Sequence, residues 1–184
     1  MRARRSGKGR VLALLVLIVI LVWTAVRLYE WIGIGKQEPK AVLYLLQVSA
    51  FQQQMLAGAL QDSGGAKESG QLNALARAVY SAQYSHERLQ RAAAAGEVPG
   101  LAVYRELLSC LTGLQLSGNR PLTDAEKALL AGAAEQFKAF AQSYAEMLGG
   151  NREWNRKEIE KLKKQDTSIV QFLTDRQFEV KVVS

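Results

Sequence analysis

What most constrains this chain lies near its start, where Val11 to Val26 reads VLALLVLIVILVWTAV, a sixteen-residue run broken by one hydroxyl at Thr24. A helix that is apolar on every side must bury itself in lipid or in a deep core. Five cations stand directly before it, Arg2, Arg4, Arg5, Lys8 and Arg10, and that pairing is a membrane pattern. At ~1.5 Å per residue the run covers about 24 Å of a ~30 Å hydrocarbon core. Extension to Trp31 closes the gap, with Arg27 snorkelling and Trp23, Tyr29 and Trp31 as interfacial aromatics. The positive-inside bias then makes 1–10 a basic cytoplasmic segment and 11–31 a single-pass signal anchor, with residues from 36 onward outside the cytoplasm. A cleaved signal peptide fits less well, because its apolar core is shorter and WTAVRLYEW offers no A-x-A site.

The formal net charge is +7, and the five leading cations supply five of it, leaving +2 over residues 11–184. The basicity is therefore topological, and a nucleic-acid partner loses its electrostatic footprint. One cysteine and one histidine exclude an internal disulfide framework and multi-cysteine or multi-histidine metal sites.

Beyond the anchor the composition is helix-forming, rich in Ala, Leu and Gln with three prolines. Pro39 suits the first turn of a helix over about 40–61, whose broad apolar face is read as Leu45, Val48, Met55, Leu56 and Leu60. Ser63 to Gly70 reads as a flexible loop. A helix over 71–95 sets Leu72, Leu75, Val79, Ala82, His86 and Leu89 at alternating spacings of three and four. A third, over 101–117, carries Leu101, Tyr104, Leu108, Leu111 and Leu114 or Gln115. Thr123-Asp124-Ala125-Glu126 is a capping box, Thr123 for the N3 amide and Glu126 for the cap amide, opening a fourth helix with Leu130, Ala133, Phe137, Phe140, Tyr144 and Met147. A short charged helix over 151–165 follows. The tail, 166–184, ends with Phe178, Val180 and Val182 alternating like a short strand. The expected fold is all-α: one transmembrane helix, then an extracytoplasmic antiparallel bundle of about four helices across 36–165.

Few residues invite chemistry. His86 lies on an apolar seam and reads as a packed structural histidine, Cys110 as a small buried hydrophobe. The glutamates spread along helix faces, so no catalytic residue, metal or cofactor is expected and the chain reads as no enzyme. Two surfaces could meet a partner or lipid. One is the Tyr80 and Tyr84 stripe. The other is the basic 151–165 segment, with Trp154, Lys157, Lys161 and Lys164.

The order of these features, AVLY at 41–44, ARAVYSA at 76–82, Leu107-Leu108-Ser109 and PLTDAE at 121–126, resembles the amino-terminal helical region of the YpeB family of spore-germination proteins. The resemblance covers about 8–175 and lacks that family's PepSY-type domains. It implies a non-catalytic protein of the spore inner membrane that docks an envelope or spore partner, a cortex-lytic cell-wall hydrolase or a YpeB-like protein. Homo-oligomers are compatible with it. The residues alone also fit a sensory four-helix module or a structural envelope protein without a hydrolase partner.

Overall fold

The computed structural model describes residues 22–24, 39–94, 96–116, 118–149 and 156–183. Two compact units divide the chain, Met1–Glu38 and Pro39–Ser184. Of the first, Val22–Thr24 are helical, with Val22 and Trp23 exposed. Among the described residues no helix is long and apolar enough to cross a membrane. The span expected over 11–31 lies outside them apart from those three residues, as do Arg2, Arg4, Arg5, Lys8, Arg10, Tyr29, Trp31 and Trp154.

The described part of the second unit is built from helices and their connections: α1 (Pro39–Ser63), a 3₁₀ turn (Ser69–Leu72), α2 (Asn73–Ala92), α3 (Val103–Leu116), α4 (Asp124–Gly149) and α5 (Arg156–Val183). Helix α1 lies between α2 and α4; α4 packs on α5, α5 on α3 and α3 on α2, which closes a ring of five. Their inner seams form one core around Leu56, Leu60, Leu75, Val79, Leu107, Leu111, Phe137 and Phe140.

Helix α5 corrects two expectations. Among the described residues, 156–165 of the charged segment and 166–183 of the tail form one helix, Arg156–Val183, in place of a short helix followed by a strand. Leu162, Ile169 and Leu173 are buried, spaced seven and four, and the half-buried Asp166 fills the missing position of that seam. This helical period outweighs the alternation at 178–182, because a lone strand has no partner for its ladder, whereas the helix satisfies its own backbone. At Gly132 of α4 a β-carbon would stand 2.5 Å from the ring of Phe172, so the bare backbone lets that ring lie close.

Two polar devices set the register. At one end the α1–α2 and α3–α4 connections are stitched together. Ser69 N–H donates to Arg120 O at 3.0 Å and Leu122 N–H to Lys67 O at 2.9 Å. Ser69 Oγ donates to Gly118 O at 2.6 Å and Gly70 N–H to Asn119 Oδ1 at 3.0 Å. The loop expected to be flexible is thus pinned, and Gly118 makes its turn with φ +78, a conformation glycine adopts without strain. At the start of α3, Asp166 Oδ1 accepts the Val103 N–H at 2.9 Å, so α5 caps a helix 63 residues earlier. Cys110 Sγ reaches Leu173 O across the same offset of 63, which makes α3 and α5 parallel.

Burial raises the Asp166 pKa against the opposing pull of the Val103 and Ala102 amides. The folded protein therefore holds this proton to a higher pH than the unfolded chain, and the group's contribution declines as pH rises through that window. Asp166→Asn keeps a carbonyl acceptor and removes the buried charge, so its melting temperature at pH 7 should equal or exceed the wild type's. Asp166→Ala loses the cap and should cost about 1 kcal/mol. Thermal unfolding followed by circular dichroism checks the ranking, and Ala melting no lower than Asn would refute the cap.

Candidate functional site

The bundle holds a buried polar column and an outward aromatic face, and they do different things. The column starts at His86 on the inner seam of α2. Its Nε2 lies 2.9 Å from Pro99 O, and Tyr144 Oη lies 2.6 Å from Nδ1. A carbonyl can only accept, so Nε2 carries the hydrogen and Nδ1 takes the Tyr144 hydroxyl proton. Tyr144 Oη in turn stands 3.3 Å from Tyr104 Oη. All three side chains are buried, and their rings stack edgewise or tilted on one another and on Phe140. On α1, Ser49 Oγ is also buried and makes no hydrogen bond, and Gln53 is buried beside Tyr104.

Electrostatics keep this column uncharged near neutral pH. Burial lowers the His86 pKa to about 4, only partly offset by the Pro99 carbonyl and by Glu87. Burial likewise holds the Tyr104 and Tyr144 phenols well above their ordinary range. A neutral imidazole with both nitrogens engaged ties α2 to the 98–100 turn and to α4. Among the described residues no group of three metal-ligating side chains occurs. Cys110 is buried, as its apolar helix face suggested.

The capping box stands as its spacing indicated. Thr123 N–H donates to Glu126 Oε2 at 2.7 Å and Glu126 N–H to Thr123 Oγ1 at 3.3 Å. Sequence reasoning missed Arg120, whose guanidinium grips both Glu126 oxygens. That grip comes first among the causes that lower the Glu126 pKa, with burial opposing it. Neighbours six apart across a proline offer no periodic signal.

The surface expected on the 151–165 segment is partly absorbed into the bundle. Lys157, Lys161 and Lys164 are all exposed, but Lys161 crosses to Glu146 of α4, and Glu160 pairs with Lys163 at 3.2 Å. Lys161 therefore helps hold α5 on α4, while the Glu160–Lys163 pair lies within α5. Tyr80 and Tyr84 fare differently. They lie on α2 opposite His86 and the inner seam, 61% and 60% exposed. Arg77, Arg88 and Arg91, which the sequence reading passed over, are exposed at three- and four-residue spacings along the same face. The Arg88 guanidinium covers the Tyr84 ring at 4.9 Å, and Arg91 reaches Glu87 at 3.7 Å.

No family model, no curated protein and no solved structure matches this chain.

The column yields a pH test. The folded His86 pKa lies below the unfolded value near 6.5, so its contribution is complete above pH 6.5 and is lost as pH falls towards 4. A gap of that size corresponds to about 3 kcal/mol for a buried group. Urea unfolding at pH 7, 6 and 5 should show this decline in the wild type. His86→Gln should be less stable at pH 7 yet nearly flat across the same interval. An unchanged slope in the variant would assign the pH dependence to other groups.

Proposed function

We propose that this chain is a non-catalytic docking protein, held in the cytoplasmic membrane by the 11–31 segment, with its helical bundle on the extracytoplasmic side. The anchor and orientation rest on the five leading cations and the apolar run that follows them. The observation that carries the docking role is the outward face of α2, where Tyr80 and Tyr84 stand among Arg77, Arg88 and Arg91. Tyrosine and arginine are among the side chains most enriched where proteins bind one another, because each presents a large amphipathic surface, a rigid ring in one and a planar five-donor fork in the other. An exposed pair of tyrosines contributes nothing to the core, and three arginines beside them favour a partner surface with carboxylates. The resemblance to the YpeB helical region supplies the partner class, an envelope or spore protein such as a cortex-lytic cell-wall hydrolase.

The test is a photo-crosslinking amino acid in place of Tyr80 in the native host, sampled in growing cells and in spores. The reading expects a heterotypic adduct, a hydrolase or YpeB-like protein from spores. Tyr84→Ala with Arg88→Ala should cut the yield at least tenfold without shifting the melting temperature by more than a few degrees, since exposed sites contribute little to stability. Adducts containing only this chain would overturn the docking role. Adducts from growing cells alone would remove the germination role and leave the docking one.

A further inference from the structure

Helix α1 has two distinct faces, a buried inner one of mixed polarity and an exposed outer one that is largely apolar. The inner one comprises Leu46, Ser49, Gln53, Leu56, Leu60 and Ser63, all buried and spaced three and four. The outer one comprises Ala41, Tyr44, Val48, Phe51, Met55, Gly58 and Asp62, also spaced three and four and all exposed. Its large members, Tyr44, Val48, Phe51 and Met55, are each 49–65% exposed. Seven positions in unbroken heptad spacing form a coiled-coil seam with no helix upon it among the described residues.

The geometry points to a second copy of this chain as the occupant, with the two α1 helices antiparallel about a two-fold axis at Phe51. The seam complements its own reverse. In that pairing Phe51 meets Phe51, Val48 meets Met55, Tyr44 meets Gly58 and position 41 meets position 62. Tyr44 is the largest side chain of the seam and Gly58 is its smallest residue. A β-carbon at Gly58 would find nothing within 4 Å, so that position has open space for the tyrosine ring.

Charge selects the same arrangement. Ala41 to Gln61 carries no ionisable group except the Tyr44 phenol, and the exposed flanks are Gln47, Gln54 and Gln61. Two copies thus bring no like charges together along the helix. At its ends α1 runs against its own dipole: Lys40 stands in the first turn, which has no acid, and Asp62 in the last, which has no base. An antiparallel copy sets Asp62 beside the partner's positive helix start and its Lys40, which corrects both ends at once. A parallel copy would place Lys40 by Lys40 and Asp62 by Asp62. A lipid surface fits less well, since an interfacial helix carries Lys and Arg on its polar face, whereas the opposite face of α1 is buried in the bundle.

The test uses oxidative cross-linking of the full chain in the cells that express it. Differently tagged Val48→Cys and Met55→Cys chains are co-expressed, and the wild type, with buried Cys110, is the control. Val48→Cys should join Met55→Cys at least tenfold more efficiently than it joins itself. Antiparallel copies hold the two 48 positions about 10 Å apart along the axis, beyond disulfide reach. Lys40→Glu should weaken the cross-link several-fold, and Lys40→Glu with Asp62→Lys should restore it. Phe51→Arg should abolish it while leaving the melting temperature unchanged. Efficient self-linking at position 48, or no cross-link together with a monomeric mass by light scattering at every concentration, would overturn the proposal. The readouts lie on α1, so the α2 docking face can succeed or fail separately.

Discussion

The His86 imidazole is the interaction on which the rest of this bundle depends. Its two nitrogens have different partners, the Pro99 carbonyl in the α2–α3 connection and the Tyr144 hydroxyl on α4, and Tyr144 carries the contact on to Tyr104 of α3. One ring thereby orders three helices and a turn. Apolar packing alone tolerates sliding of one helix along another, whereas a buried hydrogen bond has a single register, because its unpaired alternative costs several times its net worth. Burial of the ring, rather than these bonds, keeps the imidazole neutral, since the Pro99 carbonyl on its own favours the charged form.

Asp166 and the loop stitch serve the same purpose at other points. Helix α5 closes the ring only if its buried seam faces α3 and α4. Its carboxylate on the Val103 amide fixes the axial position, and Lys161 on Glu146 fixes it again on the other neighbour. At the opposite end the backbone of 67–70 pairs with 118–122. The buried rings of Tyr104, Phe137, Phe140 and Tyr144 give the core its shape, and the polar contacts at the helix ends add a fixed axial register to it.

Much of this was legible, and what was not shares one cause. Seams of α2 and α4 were read correctly because each has a single apolar face, so Leu75, Val79, Ala82, Leu89 and Phe137, Phe140, Tyr144 admit one orientation. The Thr123–Glu126 box was legible because its partners lie three residues apart. Helix α1 was read on the wrong face in part: Val48 and Met55 point outward, and Gln53 is buried beside the Tyr104 side of the core. With apolar residues on both faces, periodicity cannot choose between them, and the choice falls to contacts remote in sequence. Arg120 on Glu126, Asp166 on Val103 and the continuation of α5 were hidden for the same reason, since each is settled by a tertiary partner rather than by its neighbours.

That ambiguity in α1 carries functional meaning. A helix whose only task is to close a bundle needs one apolar stripe, and solvent favours polar residues on the other. Retaining Tyr44, Val48, Phe51 and Met55 in water exposes a continuous apolar strip, which isolated proteins keep small because it invites association. The outer seam is confined by Gln flanks and by opposite charges at its ends, so that association is limited to one geometry. A two-fold pair built on α1 then carries two copies of the α2 face. In the proposed membrane-anchored pair, two modest docking contacts held at high effective concentration would bind a repeating or dimeric partner far more tightly than either contact alone. The proposed self-association through α1 and the proposed docking face of α2 would therefore reinforce each other.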